Sequence, residues 1–201
     1  MNLYKSEDFM TKPTFNGMSF QMKFSMATNS RKVVLYNNID ENSVLEAIYL
    51  LNKIKELDIK FNKGTPDIEI LINTNGGFVS DGMTLISTIE SMKEEGYKII
   101  TTNIGRAFSM GFLIAICGSE RRAYRYAKYM YHDISYGTYG KHEDIIDSVE
   151  FSKIMRNDIS SIISKYTTWT IQDVERLNNC RKDKFMTAEE LKEIKGVDYI
   201  V

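Results

Sequence analysis

From residue 67 onward, apolar and polar positions follow two alternating rhythms. "DIEILIN" is a short isoleucine-rich run and reads as a strand, whereas Val79, Met83, Ile86, Ile89 and Met92 recur at helical spacing and mark one face of a helix that Gly96 ends. Between them, "TNGG" reads as a turn. A strand in "KIITTNI" comes next, then Gly105, then an apolar run that predicts a helix through about Cys117, then two short strands in "RRAYRY" and "KYMYHD".

The same two rhythms extend to both sides. "KVVLYN" from Lys32 reads as a buried strand, and Asp40 can cap a helix through Leu57 with Val44, Leu45, Ile48, Leu51 and Ile54 on one face. "NKGTP" turns the chain into the next strand. Earlier, "TFNGMSFQMKFSM" alternates around Asn16 and Gly17 and predicts a hairpin. Beyond "KYMYHD", the glycine-bearing loop "SYGTYGK" leads to a long predicted helix over residues 145–165, with apolar positions at Ile145, Val149, Ile154, Ile159, Ile162 and Ile163. Thr170 can cap a further short helix. "TAEE" at Thr187 has the capping-box form, with Gly196 as the stop and "VDYIV" as a closing strand. Strands alternating with helices require right-handed crossovers and parallel pairing, so the fold class is α/β.

Composition narrows the function classes. A length of 201 residues suits one domain, spanning 1–201. Lys plus Arg total 26 against 27 Asp plus Glu, a net charge of −1 without blocks of like charge, which argues against a nucleic-acid partner. The one basic cluster, Arg121, Arg122, Arg125 and Lys128, is interleaved with tyrosines and reads as solvated strand edge rather than a phosphate site. Cys117 and Cys180 have no paired or metal-type spacing, which suits a reducing compartment. "MNLYKSEDFMTK" lacks a basic start followed by an apolar stretch, and no apolar run approaches membrane-spanning length. The expectation is a cytoplasmic chain with no membrane partner.

Candidate chemistry centres on Ser109. A serine at a strand-to-helix turn exposes its Oγ, and the amide of the next residue, Met110, is among the helix donors without an internal partner and points toward an oxyanion formed there. Gly76 and Gly77, after the neighbouring strand, can supply a second amide without a Cβ in the way. The rival reading of Ser109 is a helix cap. A serine nucleophile needs a base, and the chain has only His132, at a strand end, and His142, amid charges at a helix start and read as a solvated surface residue. Spacing alone does not assign the carboxylate that fixes the imidazole tautomer.

"INTNGG", "GRAFSMG", "YMYHD" and "RKDKFMTAEE", in this order and at these separations, resemble the ClpP family of serine peptidases, and the likeness runs from about Lys32 to the C-terminus. The resemblance implies a ClpP/crotonase-like fold of repeated β-β-α and βαβ units with a handle helix over about 138–166, the divergent segment being 1–30. It implies Ser109 as nucleophile, His132 as general base then acid, Asp183 as the tautomer-fixing carboxylate, and Gly77 and Met110 as oxyanion donors. An extended substrate would pair with Gly77, Phe78 and Val79 on one side and with Ser135, Tyr136 and Gly137 on the other. The implied activity is acyl-enzyme hydrolysis of polypeptides without metal or cofactor, inside a homo-oligomeric chamber of one or two heptameric rings; the family's coupling to an ATP-driven unfoldase runs through the N-terminal region, where this chain matches least, so the resemblance leaves that partner open.

The sequence departs from the family pattern at Asn75, where relatives usually carry proline, at Asp133 and Ile134 in place of Gln-Pro, and at Arg181 and Lys182 in place of an acidic-basic pair. These departures and the divergent N-terminus suit a phage-type capsid maturation protease of the same fold about equally well. A silent ring subunit is the next alternative, although such relatives typically lose a triad member. An acyl-CoA enzyme of the crotonase fold would need carboxylates near the glycine turn, where only Asp81 stands. A Ser-Lys signal-peptide peptidase of similar fold would need a membrane anchor.

Overall fold

A computed structural model describes residues 18–135 and 137–201. Its strands form one mixed sheet. β1 (Lys32–Ile39), β2 (Ile68–Gly77), β3 (Ile99–Phe108), β4 (Glu120–Ala123) and β7 (Tyr199–Ile200) lie side by side in that order, all parallel. β5 (Lys128–Tyr131) also pairs with β3 in parallel, and β6 (Lys184–Thr187) pairs antiparallel with β5. β3 is long enough to hold β4 along its first half and β5 along its second. Asn103, fully buried, spans the break: its amide donates to Lys128 O at 3.0 Å and its carbonyl accepts from Gly105 N at 3.0 Å.

Seven helices pack around the sheet among the described residues: α1 (Phe20–Ser30), α2 (Glu41–Lys60), α3 (Val79–Glu94), α4 (Met110–Ile116), α5 (His142–Tyr166), α6 (Ile171–Cys180) and α7 (Ala188–Glu193). Local chemistry starts four of them. Ser19 caps α1, and side chains of Asp40 with Ser43, Thr170 with Asp173, and Thr187 with Glu190 form reciprocal caps on α2, α6 and α7. The core joins Leu50, Leu51 and Ile54 of α2, Ile70 of β2 and Leu85 and Ile89 of α3, each essentially fully buried. Each such side chain stabilises the fold by roughly 1.5–3 kcal/mol relative to exposure. No described helix is long and apolar enough to cross a membrane.

Three features differ from the sequence pattern. Residues 20–30 form α1 rather than the second arm of a hairpin, while Asn16 and Gly17 lie outside the described residues. The helix wins because Phe20 and Phe24 stack along one face, Phe20 also meets Tyr49 of α2, Ala27 is buried, and Lys23 pairs with Glu46 at 2.7 Å. "TNGG" is strand rather than turn, and β3 runs past the predicted "KIITTNI" to Phe108, because β2 and β3 continue through register shifts. At the end of α7 it is Lys195, φ 60°, that takes the left-handed position, while Gly196 packs against Leu191, where a Cβ would lie 2.5 Å from Cδ1.

Arg31 closes α1 in a left-handed conformation and grips Asp58 of α2, whose side chain is 1 % exposed, through bonds of 2.7 and 2.9 Å. It also donates to Pro66 O and Asp67 O. Arg31→Ala strands a buried carboxylate, so the expected loss is about 3–5 kcal/mol, or a Tm lower by roughly 10 °C. Calorimetry showing a drop of under about 2 °C would contradict this.

A second cluster fixes the end of α5. Glu90 of α3 accepts from the Tyr166 hydroxyl and from Lys165 and Lys93, both at 3.0 Å, and Lys93 also donates to Cys117 O at the end of α4. Burial opposes the Glu90 charge, but these hydrogen bonds outweigh it and bring its pKa from 4.5 to about 2. A depressed pKa contributes stability that is present above pH 4.5 and lost as the pH falls toward about 2. Solvent at this partly exposed group limits the contribution to about 1–2 kcal/mol, less than the full shift represents. Glu90→Gln is therefore expected to cost that amount at neutral pH and to flatten the acid limb of the stability curve, as followed by urea melts across pH. An unchanged acid limb would remove this assignment.

Candidate active site

Ser109 stands between the last residue of β3 and the first of α4, at φ 54° and ψ −121°. A non-glycine residue there costs about 1–3 kcal/mol, and such strain concentrates at functional turns. The surroundings hold it: its amide donates to Met130 O at 2.7 Å. Its side chain makes no cap bond to α4, and Oγ lies 2.8 Å from His132 Nε2 instead.

Strand register produces that pairing. Phe108 of β3 stands opposite Met130 of β5, so the residues just beyond both strands, Ser109 and His132, leave the same sheet edge. His132 follows Tyr131, whose hydroxyl donates to Asn178 of α6 at 2.7 Å and whose pKa burial pushes up to about 12. Asp133, next in sequence, accepts from Ile134 N at 2.9 Å and from Arg156 of α5 at 2.8 Å. That pair ties the histidine-bearing loop to the long helix. His142 is the exposed first residue of α5 and lines neither cavity described below. Cys117 is no rival nucleophile, since burial pushes its pKa up to about 12.

Asp183 arrives through β6. Tyr131 pairs with Lys184 in the last rung of the antiparallel ladder, and His132 and Asp183 are the next residue on each strand. Asp183 is exposed and lines, with His132 and Arg181, a cavity of about 450 Å³. Among the described residues no hydrogen bond joins its carboxylate to the imidazole.

The glycine pair is held by close approach. A Cβ on Gly76, φ +97°, would sit 2.6 Å from Ser109 Cβ, and one on Gly77 would sit 2.0 Å from Ile39 O. Backbone packing of this kind admits only glycine. On the other side, Met110 is buried and its amide, at the first position of α4, has no partner within the helix. A cleft of about 540 Å³ lies against Ser109 and His132, with Val79, Met110, Leu113, Ile134 and Ile159 making its apolar wall.

Of the residues expected to bind substrate, Gly77, Phe78, Val79 and Ser135 line this cleft. The Phe78 amide is already bonded to Ile39 O at 2.9 Å. Gly137 lies outside the cleft, and Tyr136 outside the described residues. Ile159 of α5 and Asn38 at the end of β1 also border it and were not anticipated. Ile159 stood out in sequence only as one apolar position of a helix face, and nothing local aimed it here. The basic cluster is not a solvated strand edge: Arg121 and Arg122 lie on β4, which is paired on both sides by β3 and β7, and they are held by Asp198 at 2.6 Å and Glu120 at 2.5 Å.

A family model described as Clp protease matches residues 16–201. Among curated proteins, the ATP-dependent Clp protease proteolytic subunit 1 of Frankia casuarinae is 27% identical over 191 residues, covering 94% of this chain and 85% of that protein. The protein of the same name from Corynebacterium jeikeium is 30% identical over 139 residues, covering 68% of this chain and 71% of that one.

Proposed function

The chain belongs to the Clp protease family, and from that premise we propose that it is a serine endopeptidase in which Ser109 is the nucleophile, His132 the general base and acid, and Asp183 the carboxylate that fixes the imidazole tautomer. The observation that carries this reading is the 2.8 Å contact between Ser109 Oγ and His132 Nε2 at a strained turn, with Oγ free of any capping role.

In the first half-reaction Oγ attacks the scissile carbonyl while Nε2 takes its proton. The Met110 and Gly77 amides stabilise the oxyanion. Collapse transfers the proton to the leaving amine and leaves an ester on Ser109, and a water then repeats the sequence to release the acid. The chemistry needs no metal or cofactor. The apolar wall of Met110, Leu113 and Ile159 favours an apolar side chain before the scissile bond.

Both curated relatives are named as proteolytic subunits of an ATP-dependent protease, which supports polypeptides as substrates and an ATP-driven unfoldase as partner. Assembly into rings, with α5 as the handle between them, is supported by Ile146, Phe151 and Ile154, which stand exposed along that helix. The test is hydrolysis of short fluorogenic peptides, with mass photometry of the same sample. The expected result is turnover of peptides with an apolar residue before the reporter, abolished by a serine-directed fluorophosphonate. Protein assembled into rings that turns over no peptide would contradict the reading.

A further inference from the structure

Thr74 is fully buried yet carries a hydroxyl into the stretch of β2 where two register shifts meet. β1 slips against β2 after Asn37, which adopts φ 76°, and β2 slips against β3 between Ile72 and Thr74. Both slips release backbone groups from the ladder. The Thr74 hydroxyl takes two of them, donating to Asn37 O and accepting from Gly76 N at 3.0 Å. Its methyl faces the other way, into the first turn of α4, where a Cβ on Gly111 would lie 2.3 Å from Thr74 Cγ2.

One side chain therefore touches both segments whose amides face the cleft. A glycine pair has the widest backbone freedom in a chain, and Asn75 lacks the fixed φ that a proline would give the loop. Oxyanion donors act only when held at hydrogen-bond distance from the developing charge. Something outside the loop must set its orientation.

We propose that Thr74 is a positioning residue for the oxyanion hole, its hydroxyl holding the amide of Gly76 and thereby setting the direction in which the following Gly77 amide faces relative to Ser109 and Met110. This rests on the peptidase reading above.

Isosteric substitution separates hydroxyl from methyl. Thr74→Val keeps the methyl against Gly111 and loses both hydrogen bonds, whereas Thr74→Ser keeps the hydroxyl and loses the methyl. On a short fluorogenic peptide, Thr74→Val is expected to lower kcat by about 10–100-fold, short of the loss of a donor itself, with KM within about twofold. Affinity for a peptide aldehyde, whose hemiacetal with Ser109 places an oxygen in the hole, should fall by a similar factor. Affinity for the matching product acid should hold. Thr74→Ser should stay within about threefold of wild type. If Thr74→Val does not fold, Thr74→Ala, which adds no bulk, carries the same expectation. The proposal is overturned if the valine or alanine variant keeps its kcat, if the loss falls in KM, or if serine loses as much as valine. An inactive wild-type protein would take down the peptidase reading and this inference together, whereas an active wild type with an equally active Thr74→Val takes down this inference alone.

Discussion

Ser109→Ala is expected to lose peptide hydrolysis by on the order of 10⁶-fold in kcat while remaining folded. The attacking atom is gone, and among the described residues no other hydroxyl at the cleft, Ser135 included, is hydrogen-bonded to His132, while the Cys117 thiol is buried and held protonated. Alanine retains the Cβ against which Gly76 packs and the amide that bonds Met130 O. Only one oxygen and its bond to His132 are removed, so Tm should move by no more than about 2 °C. Progress curves with the fluorogenic peptide and a thermal melt of the same preparation check both halves. Retention of more than about a hundredth of the activity would mean that Ser109 is not the nucleophile.

The second large effect is expected at Asp183. Asp183→Asn should slow turnover by on the order of 10⁴-fold, because an amide opposite His132 favours the imidazole tautomer that cannot accept the Ser109 proton. Asp183 is exposed and holds no described side chain by a hydrogen bond, so its loss should leave the melting curve in place. That contrast separates a chemical role from a structural one. The ladder between β5 and β6 ends at Tyr131 and Lys184, so His132 and Asp183 are the next residue on each strand and border the same cavity. Steady-state kinetics across pH tests this. Turnover within about tenfold of wild type would exclude Asp183 from the mechanism.

Much of the fold could be read from local chemistry. Asp40, Thr170 and Thr187 begin helices by bonds to amides three residues on, and that information is contained in four consecutive side chains. From β1 to α6 the order of strands and helices was legible for the same reason, since apolar spacing reports which face of an element is buried. What depends on distant partners was not. Phe20, Met22, Phe24 and Met26 fit a strand by alternation, and only the face of α2 selects the helix that α1 becomes. "TNGG" has turn composition but runs on as strand because Asn37 and Thr74 absorb the register shifts on either side. β6 is four residues with a single buried position, Met186, too little pattern to announce a strand.

The site divides in the same way. Ser109 and His132 end strands, where chemistry-bearing residues stand out against an apolar background. Their separation of 2.8 Å follows from the register of β3 on β5, which no spacing rule supplies. Asp183 was reachable only through resemblance, because its approach to His132 depends on the unread strand β6. The bond between Asp133 and Arg156 joins a loop to a helix across 23 residues and left no trace in the sequence.

The most direct measurement is intact mass after treatment with a fluorophosphonate, in which a serine Oγ displaces fluoride and keeps the phosphonyl group. Wild type, Ser109→Ala and His132→Ala are compared, each shown to be folded. The expected result is one adduct on the wild type, mapped to Ser109, none on Ser109→Ala, and labelling slowed by orders of magnitude on His132→Ala. An unmodified wild type, or an adduct that persists in Ser109→Ala, would contradict the assignment of Ser109 as an activated nucleophile.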